Sequence, residues 1–152
     1  SLVSSRLVYA NSILYGAPKF SIKVLQKIQN TLARVILQAD RSVHSASLLN
    51  QLHWLPVDKR IKFKIATIAF KAASTSTPRY LSTLLHPYTP SRQLRSSTQF
   101  LLQPQFSHTK FGARALRAAA PLVWNSLPSH IKSASSLSLF KRTLKTHLFQ
   151  LN

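Results

Sequence analysis

The side chains able to hold a metal ion or move a proton are few: Asp40, Asp58 and the histidines at 44, 53, 86, 108, 130 and 147. Metal-dependent phosphoryl or nucleotidyl transfer holds its cations with clustered carboxylates. Asp40 and Asp58 lie far apart in sequence, and Asp58 reads as the first turn of a helix, so neither a metal pair nor a general acid/base pair is expected. No histidine follows a close-spaced ligand pattern. Glycine occurs only at 16 and 112, which leaves no glycine-rich phosphate loop and no Gly-x-Ser-x-Gly nucleophile turn. The absence of cysteine excludes disulfides and thiolate metal sites. The expectation is a chain without catalytic residues, metal or cofactor of its own.

The abundant chemistry is cationic. There are 21 Lys and Arg against 2 acids, a formal net charge of +19, and 15 of those cations follow Asp58. Ordinary surfaces mix both signs. A compact body this one-sided attracts polyanions, either nucleic acid or an anionic membrane. Lys and Arg neutralise phosphates and release counterions, giving salt-dependent affinity without choice of sequence. The aromatics Trp54, Phe63, Phe70 and Trp124 can stack on bases, although core packing is the commoner role for such residues. No apolar run reaches the ~18 residues of a membrane span. The Arg- and Ser-rich, acid-poor composition resembles that of an organelle transit peptide, but such peptides are short and this bias runs through the whole chain.

Helices must position these cations. With 45% apolar residues over 152, the chain is expected to bury one domain-sized core. Leu2 to Tyr15 reads as a helix on Val3, Leu7, Ala10 and Leu14, capped by Gly16. A long helix is expected from about Pro18 to Gln38, with Leu25, Ile28, Leu32, Val35 and Ile36 buried and Lys23, Lys27, Asn30 and Arg34 opposite. A short helix covers Ser45 to Leu52 and is broken at His53-Trp54-Leu55-Pro56. The next helix buries Val57, Ile61, Ile65 and Ile68 and carries Lys59, Arg60, Lys62, Lys64 and Lys71. Pro78 to His86 suggests another short helix. From Pro87 to Phe111 the chain becomes rich in Pro, Ser and Thr, with Arg92, Arg95 and Lys110, and Phe100-Leu101-Leu102 reads as a strand or half of a short hairpin. Helix resumes over Gly112 to Ala120 with Arg114 and Arg117 a turn apart, and Pro121 opens a further short helix bearing Trp124. The last helix starts at the N-cap Ser136, buries Leu137, Phe140, Leu144 and Leu148, and leaves Lys141, Arg142 and Lys145 outside. The fold class expected is mainly α, bundle-like, with a basic region at 1–86, an irregular connector at 87–111 and basic helices at 112–152.

Several blocks resemble, in order, non-LTR retrotransposon (LINE-type) reverse transcriptases of the vertebrate chicken-repeat kind. They are Ser5-Arg6-Leu7-Val8-Tyr9-Ala10-Asn11-Ser12, Leu14-Tyr15-Gly16 with Pro18, Leu25-Gln26-Lys27-Ile28-Gln29-Asn30 and Ala33-Arg34. Then come Leu52-His53-Trp54-Leu55-Pro56-Val57, Arg60-Ile61, Phe63-Lys64, Tyr88-Thr89-Pro90-Ser91-Arg92 and Leu94-Arg95-Ser96-Ser97. Phe111-Gly112, Arg114-Ala115, Ala119-Ala120-Pro121, Trp124-Asn125-Ser126-Leu127-Pro128, Ser136-Leu137, Phe140-Lys141 and Leu144 to Phe149 complete the set. The resemblance implies a thumb and C-terminal region lying after the polymerase palm. In such a parent enzyme, an RNA-directed DNA polymerase with an endonuclease domain, the Mg2+-holding carboxylates belong to the palm, upstream of Ser1. It also implies nuclear location with a cytoplasmic RNA-bound stage. Val8, Ala10 and Lys62 depart from the family pattern, which commonly has an acid, Cys and an acid at those positions.

The chain begins at Ser1, not Met, and is expected to be a fragment holding RNA or DNA beside an upstream palm, without a small-molecule substrate. The contact residues expected are Lys23, Lys27, Arg34, Lys59, Arg60, Lys62, Lys64, Arg92, Arg95, Arg114, Arg117, Lys141, Arg142 and Lys145. The alternatives are a stand-alone basic RNA- or DNA-binding protein and, less favoured, a basic amphipathic protein lying on a membrane surface.

Overall fold

A computed structural model describes residues 11–90 and 100–151. The first expected helix lies mostly outside these residues, as do Arg92 and Arg95; its described end, Asn11–Leu14, is a 3-10 turn. The described residues form seven α-helices: α1 Lys19–Leu37, α2 Ser45–Gln51, α3 Val57–Thr75, α4 Arg79–Ser82, α5 Leu116–Asn125, α6 Ser129–Lys132 and α7 Leu137–Gln150. The mainly α class is therefore observed.

Local chemistry accounts for most boundaries. Gly16 has φ +69°, a left-handed conformation that costs glycine little, and follows the 3-10 turn. Pro56 and Pro128 stand immediately before α3 and α6, where a missing N–H does no harm. The Ser136 hydroxyl caps α7 by accepting from the Leu139 N–H at 3.2 Å.

The central helix is α3, which packs against α5 and α7, against the 3-10 turn and against α1. Its Ile61, Ile65, Ala66, Ala69 and Phe70 are buried. Phe70 stacks on Phe140 of α7 with centroids 4.3 Å apart, and Trp124 of α5 stands 5.9 Å from Phe140. Such aromatic pairs each contribute about 0.5–1.5 kcal/mol beyond burial. Residues from Leu55 to Leu148 share this core, so the helices before and after the 87–111 stretch bury one another's apolar faces. A smaller cluster of Ala33, Leu48 and Leu49 joins α1 to α2.

Three expectations are corrected. The first concerns α1. Its inward face carries Ile22, Leu25, Gln26, Gln29 and Ala33, whereas Ile28, Val35 and Ile36 are exposed. The helix is apolar over more than half its circumference, so periodicity alone leaves two candidate inner faces. The buried one is that on which Gln26 and Gln29 find backbone partners. Gln26 Oε1 accepts from the Val57 N–H at 2.8 Å, and Gln29 Nε2 donates to the Leu55 carbonyl at 2.9 Å. These bonds offset part of the cost of burying the two amides, since Gln29 Oε1 has no hydrogen-bond partner among the described residues.

The second concerns the stretch from Gly112. Gly112–Arg114 is a 3-10 turn, Ala115 is extended, and one helix then runs through Pro121 to Asn125. Arg114 and Arg117 thus belong to different elements. Pro121 lies about one turn inside α5, so it removes a single ladder bond near the helix start.

The third concerns the hairpin. Among the described residues the pairing is a single antiparallel bridge between Pro87 and Leu102. Side chains hold this segment. Asn125 exchanges two hydrogen bonds with the Leu102 backbone, at 3.0 and 2.9 Å, and Trp124 Nε1 donates to the Phe100 carbonyl at 2.9 Å.

Candidate nucleic-acid interface

The His53-Trp54-Leu55-Pro56 turn ends α2 and delivers the chain into α3. His53 takes φ +52°, and the Trp54 N–H donates to the Leu49 carbonyl at 2.8 Å, which closes the helix end. The glutamines of α1 then hold Leu55 and Val57 on either side of Pro56. Trp54 is thereby placed, half-buried, beside the first turn of α3.

Arg60 extends back from that turn. Its Nε donates to the Leu55 carbonyl at 3.0 Å, and its guanidinium carbon lies 5.6 Å from the centre of the Trp54 ring. Burial lowers the Arg60 pKa from its ordinary value, yet a guanidinium stays charged in a protein. An Arg on an indole face is a favourable cation–π arrangement that also fixes the ring.

One turn further along α3, Phe63, Lys64 and Thr67 continue the same side. Lys141 and Lys145 of α7 face them across a cleft of about 430 Å³, which Trp54, His53, Leu55 and Asn11 close. The cleft brings together four expected contact residues, Arg60, Lys64, Lys141 and Lys145, that are up to 85 residues apart in sequence. No acid lines it among the described residues. Lys145 also stands 5.9 Å over the Phe149 ring.

Asn11 is a cleft residue that sequence reasoning misses. It is 3% exposed, lines the cleft, and its Oδ1 has no hydrogen-bond partner among the described residues. Its only sequence signal is a polar residue beside the apolar Ala10 and Leu14 of an expected helix. Trp54 is a half-buried wall of the cleft, whereas Trp124, Phe70 and Phe140 are core.

The other expected contact residues lie elsewhere. Lys59 reaches the end of α7, its Nζ donating to the Leu151 carbonyl at 3.3 Å, where a cation also suits the helix dipole. Lys62 and Arg142 are exposed and do not line the cleft. Lys23 and Lys27 are exposed on α1, and Arg34 on the same helix donates to the Val43 carbonyl at 3.2 Å. Arg117 is exposed, whereas Arg114 is half-buried with its Cγ against Gly16.

Asp40 follows α1 in a turn, and Asp58 lies in the first turn of α3. The described residues include no group of three or more histidines and carboxylates able to hold a metal ion. No described helix is long and apolar enough to cross a membrane. Comparison of the chain with models of known families, with curated proteins and with solved structures finds no match.

Proposed function

We propose that this chain holds RNA or DNA by its phosphate backbone, as the thumb and C-terminal part of a LINE-type reverse transcriptase, with the chemistry carried out by a palm upstream. The observation that carries the nucleic-acid reading is the convergence of Arg60, Lys64, Lys141 and Lys145 on one acid-free cleft with an aromatic wall. Lysines on two facing helices hold a polyanion from both sides, and a one-sided charge of +19 draws it in. The assignment to a reverse transcriptase rests on the ordered sequence blocks. On that reading the catalytic carboxylates and their Mg2+ belong to the palm, and this chain contributes grip and orientation.

The test is the salt dependence of binding. The full chain, titrated with a fluorescent RNA hairpin and with a DNA duplex at rising NaCl, should lose affinity linearly in log–log form. Joint replacement of Lys64, Lys141 and Lys145 by Gln should reduce the slope by roughly 2–3, at about 0.7–0.9 per phosphate contact. Affinity that is indifferent to salt, or a slope the triple variant leaves unchanged, contradicts the reading.

One observation favours a second reading. Phe20, Val24, Ile28 and Val35 share an exposed face of α1, with Lys23 and Lys27 beside them. A basic amphipathic helix of this kind can lie on anionic lipid. Flotation with phosphatidylserine vesicles, without nucleic acid, separates the two: a chain that floats through this face supports the membrane reading.

A further inference from the structure

Resting on the nucleic-acid reading, we infer that the cleft between α3 and α7 takes one unpaired nucleotide, its base against Trp54 and Phe63 and its phosphates on Lys64, Lys141 and Lys145.

A flat basic face would serve any backbone, but this site is concave and walled. Its volume of about 430 Å³ falls within the roughly 300–1,000 Å³ of small-ligand sites. A paired base is stacked inside its duplex and cannot enter such a cleft; an unpaired one can be splayed out and stacked on an aromatic ring. Trp54 is already fixed in place to receive it, because Arg60 packs on its ring and its backbone N–H is bonded to Leu49.

The experiment uses the full chain, whose two tryptophans differ in access: Trp124 is 1% exposed in the core, and Trp54 lines the cleft. Intrinsic fluorescence is followed during titration with a cytidylate octamer and a blunt duplex of matched phosphate number. The octamer should quench emission, and the duplex should bind without quenching. Trp54→Leu should abolish the quenching and weaken octamer binding about tenfold, more than it weakens duplex binding. If Trp54→Leu unfolds, as read by circular dichroism, the wild-type comparison of octamer with duplex decides. Octamer binding without quenching, or equal quenching by the duplex, overturns the inference yet leaves the backbone-grip reading standing if affinity still falls with salt. Failure of every polyanion to bind overturns that reading itself.

Discussion

The Leu55 carbonyl accepts from two side chains, Gln29 Nε2 at 2.9 Å and Arg60 Nε at 3.0 Å. One bond ties α1 to the turn before α3, and the other orients the guanidinium that covers Trp54. Because the acceptor is shared, loss of one donor leaves it satisfied and loss of both leaves it stranded. Gln29→Met and Arg60→Met should therefore each destabilise by about 1 kcal/mol, and the double variant should exceed their sum by about another 1 kcal/mol or more. Urea denaturation of the four proteins checks this; simple additivity would mean that the shared carbonyl does not couple them. At this scale the sequence is only partly legible. Arg60 is readable as a contact residue, but Gln29 is a polar residue within an apolar helix and nothing in its spacing announces the carbonyl it serves.

At the scale of elements, α1 differs most from its sequence pattern. Phe20 is 77% and Val35 69% exposed, while Ala33 is fully buried against α2. A periodic apolar stripe shows that a face can be buried, not that it is. Close approach of α2 favours the small Ala33, and the two glutamines need backbone partners that only the Leu55–Val57 turn supplies. Gln substitutions at Ile28 and Val35 should each change stability by no more than about 0.5 kcal/mol. Leu25→Ala, on the inner face, should cost about 2 kcal/mol or more. Equal losses at all three sites would mean that the outer face is packed. By contrast α7 is largely legible, because its stripe is narrow and its N-cap is a serine: Phe140, Leu144 and Leu148 are buried and Leu137 is half-buried beside them.

For the whole molecule the governing quantity is a net charge of +19 with only two acids to offset it. Self-repulsion on this scale opposes the compact state and is screened by ions. The melting temperature should rise with NaCl between about 10 mM and 500 mM. At fixed ionic strength it should rise further with a short RNA hairpin, since a ligand that binds only the folded state stabilises it by mass action. Differential scanning fluorimetry measures both. A melting temperature unmoved by salt would show that the cations are too dispersed to repel one another appreciably.

Composition and local pattern by themselves determined the mainly helical class, the limits of α1, α2 and α7 to within a residue or two, the start of α3, the excess of cations and the shortage of acids. These follow from side-chain type and from spacing along one chain, which are local properties. Tertiary structure alone decided that Arg60, Lys64, Lys141 and Lys145 share a cleft, that Trp54 walls it while Trp124 lies in the core, and that Asn11 closes it. The reason is geometric. Convergence of residues from a 3-10 turn, an interhelical turn and two helices depends on how α3 packs on α7, and one helix's periodicity carries no record of its neighbour's position.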